Sequence, residues 1–138
     1  MRQIKILLFL FLLSGCSTYN RSKTDGAIVG RHKMDYGFDK QVSKDSTLLI
    51  IELFDFKTDT AIAFHKPLFS LNSYQNKTIE GHTCTAKFSK TDVPNQITLE
   101  LPYLKKHPYF FRIDPKKLKN NNKISVKIYL AEDQRINI

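Results

Sequence analysis

The chain has 138 residues, a formal charge of +9 at pH 7 and two cysteines. That length holds one domain with a real core and is too short for two ordinary ones, and two cysteines exclude a disulfide framework. A basic balance favours acidic partners such as anionic headgroups or acidic glycans. With no tryptophan and no stripe of basic residues interleaved with stacking aromatics, a nucleic-acid partner is not expected.

The first element in chain order is an address. Arg2 and Lys5 supply two positive charges, and Ile6 to Leu13 is an unbroken apolar run. Eight residues at helical rise span roughly 12 Å, far short of a bilayer's ~30 Å hydrocarbon core, so the run reads as a signal h-region. Leu13-Ser14-Gly15-Cys16 then matches the lipobox of bacterial lipoproteins: an aliphatic residue, two small residues that let a peptidase reach the backbone, and a cysteine. This resemblance implies a signal peptide over residues 1–15 and a diacylglycerol thioether plus an N-acyl chain on Cys16, with no other cofactor. The acyl chains make membrane attachment nearly irreversible. Ser17, in place of a retaining aspartate, implies the outer membrane, with a periplasm-facing position expected. Residues 16–25, polar and basic, are expected as a flexible tether to a domain over residues 26–138.

From Gly26 onward the dominant hydropathy period is two, with short apolar runs separated by turn residues. Ala27 to Val29 reads as a weak first strand. Thr47 to Phe56 is the strongest, and its Leu-Leu-Ile-Ile stretch predicts a strand covered on both faces. A turn at residues 57–60 leads into Ala61 to Phe64, and Leu68 to Leu71 follows Pro67. Thr78 to Phe88 alternates loosely around Gly81. Gln96 to Leu101 alternates cleanly until Pro102, which has no N–H to donate. Tyr109 to Ile113 is a further strand. Asp114-Pro115-Lys116-Lys117-Leu118 carries an N-cap carboxylate and a proline suited to one helical turn, stopped by Asn120 to Asn122. Lys123 to Leu130 places Ile124, Val126, Ile128 and Leu130 inward, with Lys123, Ser125, Lys127 and Tyr129 outward. The sum predicts an all-β fold, a single antiparallel β-sandwich of about seven strands.

Within it, Leu53-Phe54-Asp55-Phe56-Lys57-Thr58-Asp59-Thr60-Ala61-Ile62 resembles the opening hairpin of carboxypeptidase regulatory-like domains, which are transthyretin-like sandwiches. Asp55, Thr58 and Ile62 fit that family's Asp-x-x-Thr-Gly-x-Pro-[Ile/Leu] pattern, whereas Asp59 stands at the glycine and Ala61 at the proline. Thr78-Ile79-Glu80-Gly81 is similar to its Thr-x-x-Gly turn, although Thr83 and Cys84 follow where an aromatic is usual. The resemblance spans roughly residues 46–130. It implies a seven-stranded sandwich without catalytic residues, serving as an accessory module of envelope proteins.

Chemistry-bearing constellations are few. Carboxylates are sparse, and the chain has no phosphate loop, dinucleotide fingerprint or nucleophile elbow, so no enzymatic activity is expected. His82-Thr83-Cys84 would bring a histidine and a cysteine to one face of a strand, where they could hold zinc or copper; the blander reading is a lone buried thiol beside an unrelated histidine. Tyr103, Lys105, Lys106 and His107, between Pro102 and Pro108, form with Tyr109 an aromatic and basic cluster, a candidate contact for a glycan or anionic headgroup; the blander reading is core packing of the aromatics beside a solvated basic loop. Asp45-Ser46-Thr47 and Asp59-Thr60-Ala61 resemble the tripeptide used by some bacteria for periplasmic O-glycosylation. The expected function is that of a lipid-anchored, non-catalytic binding or accessory module with an envelope protein, acidic glycan or lipid as partner. An inhibitor or immunity-type protective lipoprotein and a small metal-binding protein using His82 and Cys84 are the alternatives.

Overall fold

The computed structural model describes residues 20–24, 27–64, 70–71, 77–100 and 108–131. The fold is predominantly β, as the period-two pattern predicts. Among the described residues there are nine strands: β1 (Asn20–Thr24), β2 (Ala27–Gly37), β3 (Ser46–Asp55), β4 (Ser70–Leu71), β5 (Lys77–Glu80), β6 (Thr83–Ser89), β7 (Gln96–Glu100), β8 (Tyr109–Arg112) and β9 (Lys123–Leu130). A 3-10 turn, Lys117–Lys119, follows the Asp114-Pro115 pair, with Asp114 Oδ1 accepting from the Lys116 N–H at 3.0 Å. No helix among the described residues is long and apolar enough to cross a membrane.

Six strands form one mixed sheet in the order β1-β2-β9-β3-β6-β5, and β4-β7-β8 form a second. The expectation of an antiparallel arrangement throughout is corrected at its centre, where β3 and β9 pair in parallel from Leu48↔Lys123 to Asp55↔Leu130. Period-two hydropathy fixes which face a residue occupies, not the direction of a partner strand distant in sequence. The extent of β2 also exceeds the three residues expected. Its inward positions are Gly30, His32, Met34 and Tyr36, too polar on average to register as an apolar alternation. The segment expected as a tether is in part a strand, since Asn20 to Thr24 pairs with β2. Ala61 makes only an isolated bridge to Phe54, and of the strand expected over residues 68–71 only Ser70–Leu71 lies within the described residues.

Strict alternation along β3 sends Leu49, Ile51 and Leu53 into the core and leaves Leu48, Ile50, Glu52 and Phe54 half-buried on the other face. The strand is therefore covered on one face more completely than on the other, unlike the two-sided burial that its apolar run predicts. Core residues of both sheets join one hydrophobic cluster: Leu49, Ile51, Leu53, Ile124, Val126 and Ile128 from the large sheet, with Ile97, Leu99, Tyr109 and Phe111 from the small one. His32 adds two contacts between the sheets. The His32 ring Nδ1 and the Tyr109 hydroxyl share a buried hydrogen bond of 2.7 Å, and the His32 ring also meets Phe111 at 5.7 Å. Gly30 makes this approach possible, because a Cβ there would lie 3.1 Å from the Tyr109 ring and 2.5 Å from the Tyr129 carbonyl oxygen.

Two further devices fix the connections. Asn122, expected to be part of a polar stop signal, is fully buried and clamps the β2–β3 loop. Its Oδ1 accepts from the Asp39 N–H at 2.7 Å, and its Nδ2 donates to the Asp39 and Val42 carbonyls at 2.9 and 3.0 Å. After β3, Asp55 Oδ1 accepts from the Lys57 and Thr58 N–H groups, a local Asx arrangement that starts the turn. Asp59 completes that turn at φ +55°, in the left-handed region that favours glycine.

Candidate functional site

The outward face of the large sheet carries the most chemically distinctive arrangement among the described residues. Period two puts Arg31, Lys33 and Asp35 of β2 on that face, together with Lys123, Ser125, Lys127 and Tyr129 of β9 and Leu48, Ile50, Glu52 and Phe54 of β3. Register then aligns them in rows across the strands. Arg31 lies opposite Tyr129, which lies beside Phe54; one row on, Lys33 lies opposite Lys127, which lies beside Glu52.

The first row is continuous. The Arg31 guanidinium sits 4.7 Å from the centre of the Phe56 ring and 5.1 Å from that of Tyr129. Tyr129 stacks on Phe54 with centroids 5.4 Å apart, and Phe54 meets the His82 ring edge-on at 5.7 Å. Lys127 Nζ comes within 5.8 Å of the Phe54 centroid, and His82 Nε2 lies 3.6 Å from Glu52 Oε1. Each cation–π contact contributes about 0.5–1 kcal/mol when partly exposed, and an offset aromatic pair a similar amount. The second row works against stability, since like charges directly opposite on one face repel. Lys33 and Lys127 are such a pair. A row of ring faces beside three closely set cations suits recognition of an anionic ligand with apolar surface.

His82 reaches this face through a turn. Glu80 and Thr83 are the last paired residues of the β5–β6 hairpin, which leaves Gly81-His82 as a two-residue loop. Gly81 has φ +58° while His82 keeps a negative φ, the pattern of a type II′ turn with glycine at its first central position. The turn rotates His82 out of the strand's alternation. Its ring lies with Glu52 and Phe54, whereas Cys84 faces Ile51 in the core. The alternative in which His82 and Cys84 share a face is thereby corrected: the pair belongs to opposite faces of the sheet. Burial pushes the Cys84 thiol up to about 11, with the nearby Lys77 charge opposing in part, so the thiol is poorly disposed to act as a thiolate ligand or nucleophile. No group of three or more His, Cys, Asp or Glu placed to hold a metal occurs among the described residues.

The other expected contact residues fare differently. Cys16, Tyr103, Lys105, Lys106 and His107 lie outside the described residues. Tyr109 is fully buried, which removes it as a candidate ligand contact and agrees with the reading of these aromatics as core. It alternates with Phe110, and the side chain turned away from the core is that of Phe110. Burial pushes the Tyr109 phenol above its ordinary range and holds the His32 imidazole below its own, so the two share their hydrogen bond as neutral groups. Of the two tripeptides with a glycosylation pattern, Thr60 lies in the exposed turn, where its hydroxyl is hydrogen-bonded to that of Thr58, and Ser46 is half-buried at the start of β3.

Sequence reasoning placed Lys127 and Tyr129 outward and missed the row they join. Its members come from four separate segments, and only the registers of β2 with β9, of β9 with β3 and of β3 with β6 bring them together. No protein-family profile matches the chain, and no curated protein or solved structure does.

Proposed function

We propose that the chain is a lipid-anchored bacterial envelope protein whose β domain is a non-catalytic binding module, held to the membrane through acylated Cys16. The observation that supports a binding role is the row Arg31–Tyr129–Phe54–His82 with its flanking Lys33 and Lys127, a surface built for recognition. The lipobox Leu13-Ser14-Gly15-Cys16 supports the anchor and, with Ser17, an outer-membrane address facing the periplasm. In this reading the two sheets form a sandwich, and the transthyretin-like resemblance of residues 46–130 accounts for the turn after β3, where Asp59 occupies the left-handed position that the family gives to glycine.

The anchor is tested by fractionating cells that express the chain or its Cys16→Ser variant. The parent sediments with membranes and resists extraction by high salt, and the variant is released in soluble form. Equal membrane retention of both would refute the reading. A protective role, as an inhibitor or immunity-type lipoprotein, would use the same surface against a protein partner. A crosslinked pull-down from envelopes separates it from the accessory role by the partner recovered.

A further inference from the structure

We propose that the outward face of the large sheet, centred on Tyr129, Phe54, Arg31, Lys33 and Lys127, lies on the anionic phospholipid surface of the membrane that carries the anchor. This rests on the anchor reading above and adds which face the domain turns to its own bilayer.

The first argument is reach. Asn20, where β1 begins, is four positions along the chain from Cys16 (20 − 16), with three residues between them. However those residues are arranged, the two positions lie at most ~14 Å apart. Asn20 is opposite His32, and the adjoining pair is Arg21 opposite Arg31, so the anchored end of β1 sits beside the Arg31–Tyr129 row. Strands lie about 4.8 Å apart, which puts Tyr129, two strands in from β1, roughly 10 Å across the sheet. The tether therefore allows this face to touch the bilayer, and within the Debye length at physiological salt, about 8 Å, its charges act on the headgroups with little screening.

The second argument is chemical fit. Among the described side chains of this face, five cations (Arg31, Lys33, Lys87, Lys123 and Lys127) stand against three carboxylates (Asp35, Glu52 and Glu80). Tyr129, Phe54 and Phe56 supply the ring faces that partition to the headgroup level of a bilayer, and cations beside them neutralise lipid phosphates. Each such cation shifts the balance by roughly fivefold near an anionic surface. Three of them orient a domain that is already tethered, because the encounter is intramolecular. The repulsion between Lys33 and Lys127 is then relieved by the phosphates between them.

The chain has no tryptophan, so an introduced one is a unique reporter. The mature acylated protein is reconstituted into vesicles with brominated acyl chains, made either of phosphatidylcholine alone or with added phosphatidylglycerol. Two reporters are compared: Y129W on the proposed face, and F110W on the side of the small sheet turned from the core. S125W reads the same face as Y129W should that variant fail to fold. With phosphatidylglycerol, the Y129W signal is expected to be quenched at least about twofold more than that of F110W, as a residue seated at the acyl boundary would be. K33E combined with K127E, or 1 M salt, should remove the difference. Equal quenching of both reporters would overturn the proposal. So would an unquenched Y129W signal that shifts on adding a soluble polyuronic acid, which would mark the face as a glycan site. Flotation with neutral vesicles separates the two readings: protein that does not float lacks the anchor and overturns both, whereas protein that floats with unequal quenching upholds both.

Discussion

Replacing Gly30 with alanine tests how the small sheet sits against the large one. From propensity alone the change should help, since glycine within a strand is destabilising by about 0.5–1 kcal/mol relative to alanine. The structure predicts the opposite sign. The new Cβ would lie 2.5 Å from the Tyr129 carbonyl oxygen and 3.1 Å from the Tyr109 ring. The first contact is with backbone in the β2–β9 ladder, so its relief requires the strands to separate, and relief of the second requires Tyr109 to withdraw. Overpacking of this kind costs typically ~1–3 kcal/mol. Withdrawal of Tyr109 would also break its bond to His32, a further ~1 kcal/mol. Against the propensity gain, the net loss is about 1–3 kcal/mol, enough to lower a urea midpoint by roughly 1 M at an ordinary m-value. Equilibrium urea unfolding, followed by far-ultraviolet circular dichroism, reads it directly. An unchanged or higher midpoint would refute the account of Gly30 as the point of closest approach.

Three other outcomes follow from the same contacts. Because burial holds the His32 imidazole below its ordinary value of 6.5, the unfolded chain takes up the proton first as pH falls, so this group's contribution to stability is complete above pH 6.5 and is lost below it. Urea midpoints measured between pH 5 and 8 should therefore fall on the acid side, and His32→Gln should flatten that slope; an unchanged slope would remove His32 as its source. Asn122→Asp keeps the side chain's shape yet points an oxygen at the carbonyls of Asp39 and Val42, so it should destabilise by ~2–3 kcal/mol, at least as much as Asn122→Ala; a neutral effect would show that the clamp is dispensable. Asp59→Gly should raise the melting temperature by releasing a left-handed residue worth about 1 kcal/mol, and a lower melting temperature would contradict the strain at φ +55°.

Much of the fold is legible in the chain because alternation is a local signal. The inward and outward residues of β9 are the predicted ones, residue for residue, and β3, β7 and β8 fall within a residue of their expected bounds. What escaped depends on partners far apart in sequence. The parallel pairing of β3 with β9 has no local signature. The length of β2 is hidden because its inward side carries a glycine and a histidine, chosen to accept Tyr109 instead of to look apolar. Whether Tyr109 contacts a ligand or packs in the core is not legible in the chain, because its strand holds three aromatics in succession and only register decides which of them points inward. Which face His82 takes relative to Cys84 is likewise not legible, because the Gly81 turn sets the two on opposite sides.

The central claim is that this β domain works while fixed to a membrane through Cys16. Intact mass measurement of the N-terminal peptide, from protein purified out of membranes, tests it most directly. The account predicts a chain that begins at Cys16 and carries diacylglycerol on its thiol with an acyl chain on its amine. A peptide that retains residues 1–15, or one with an unmodified Cys16, would contradict it.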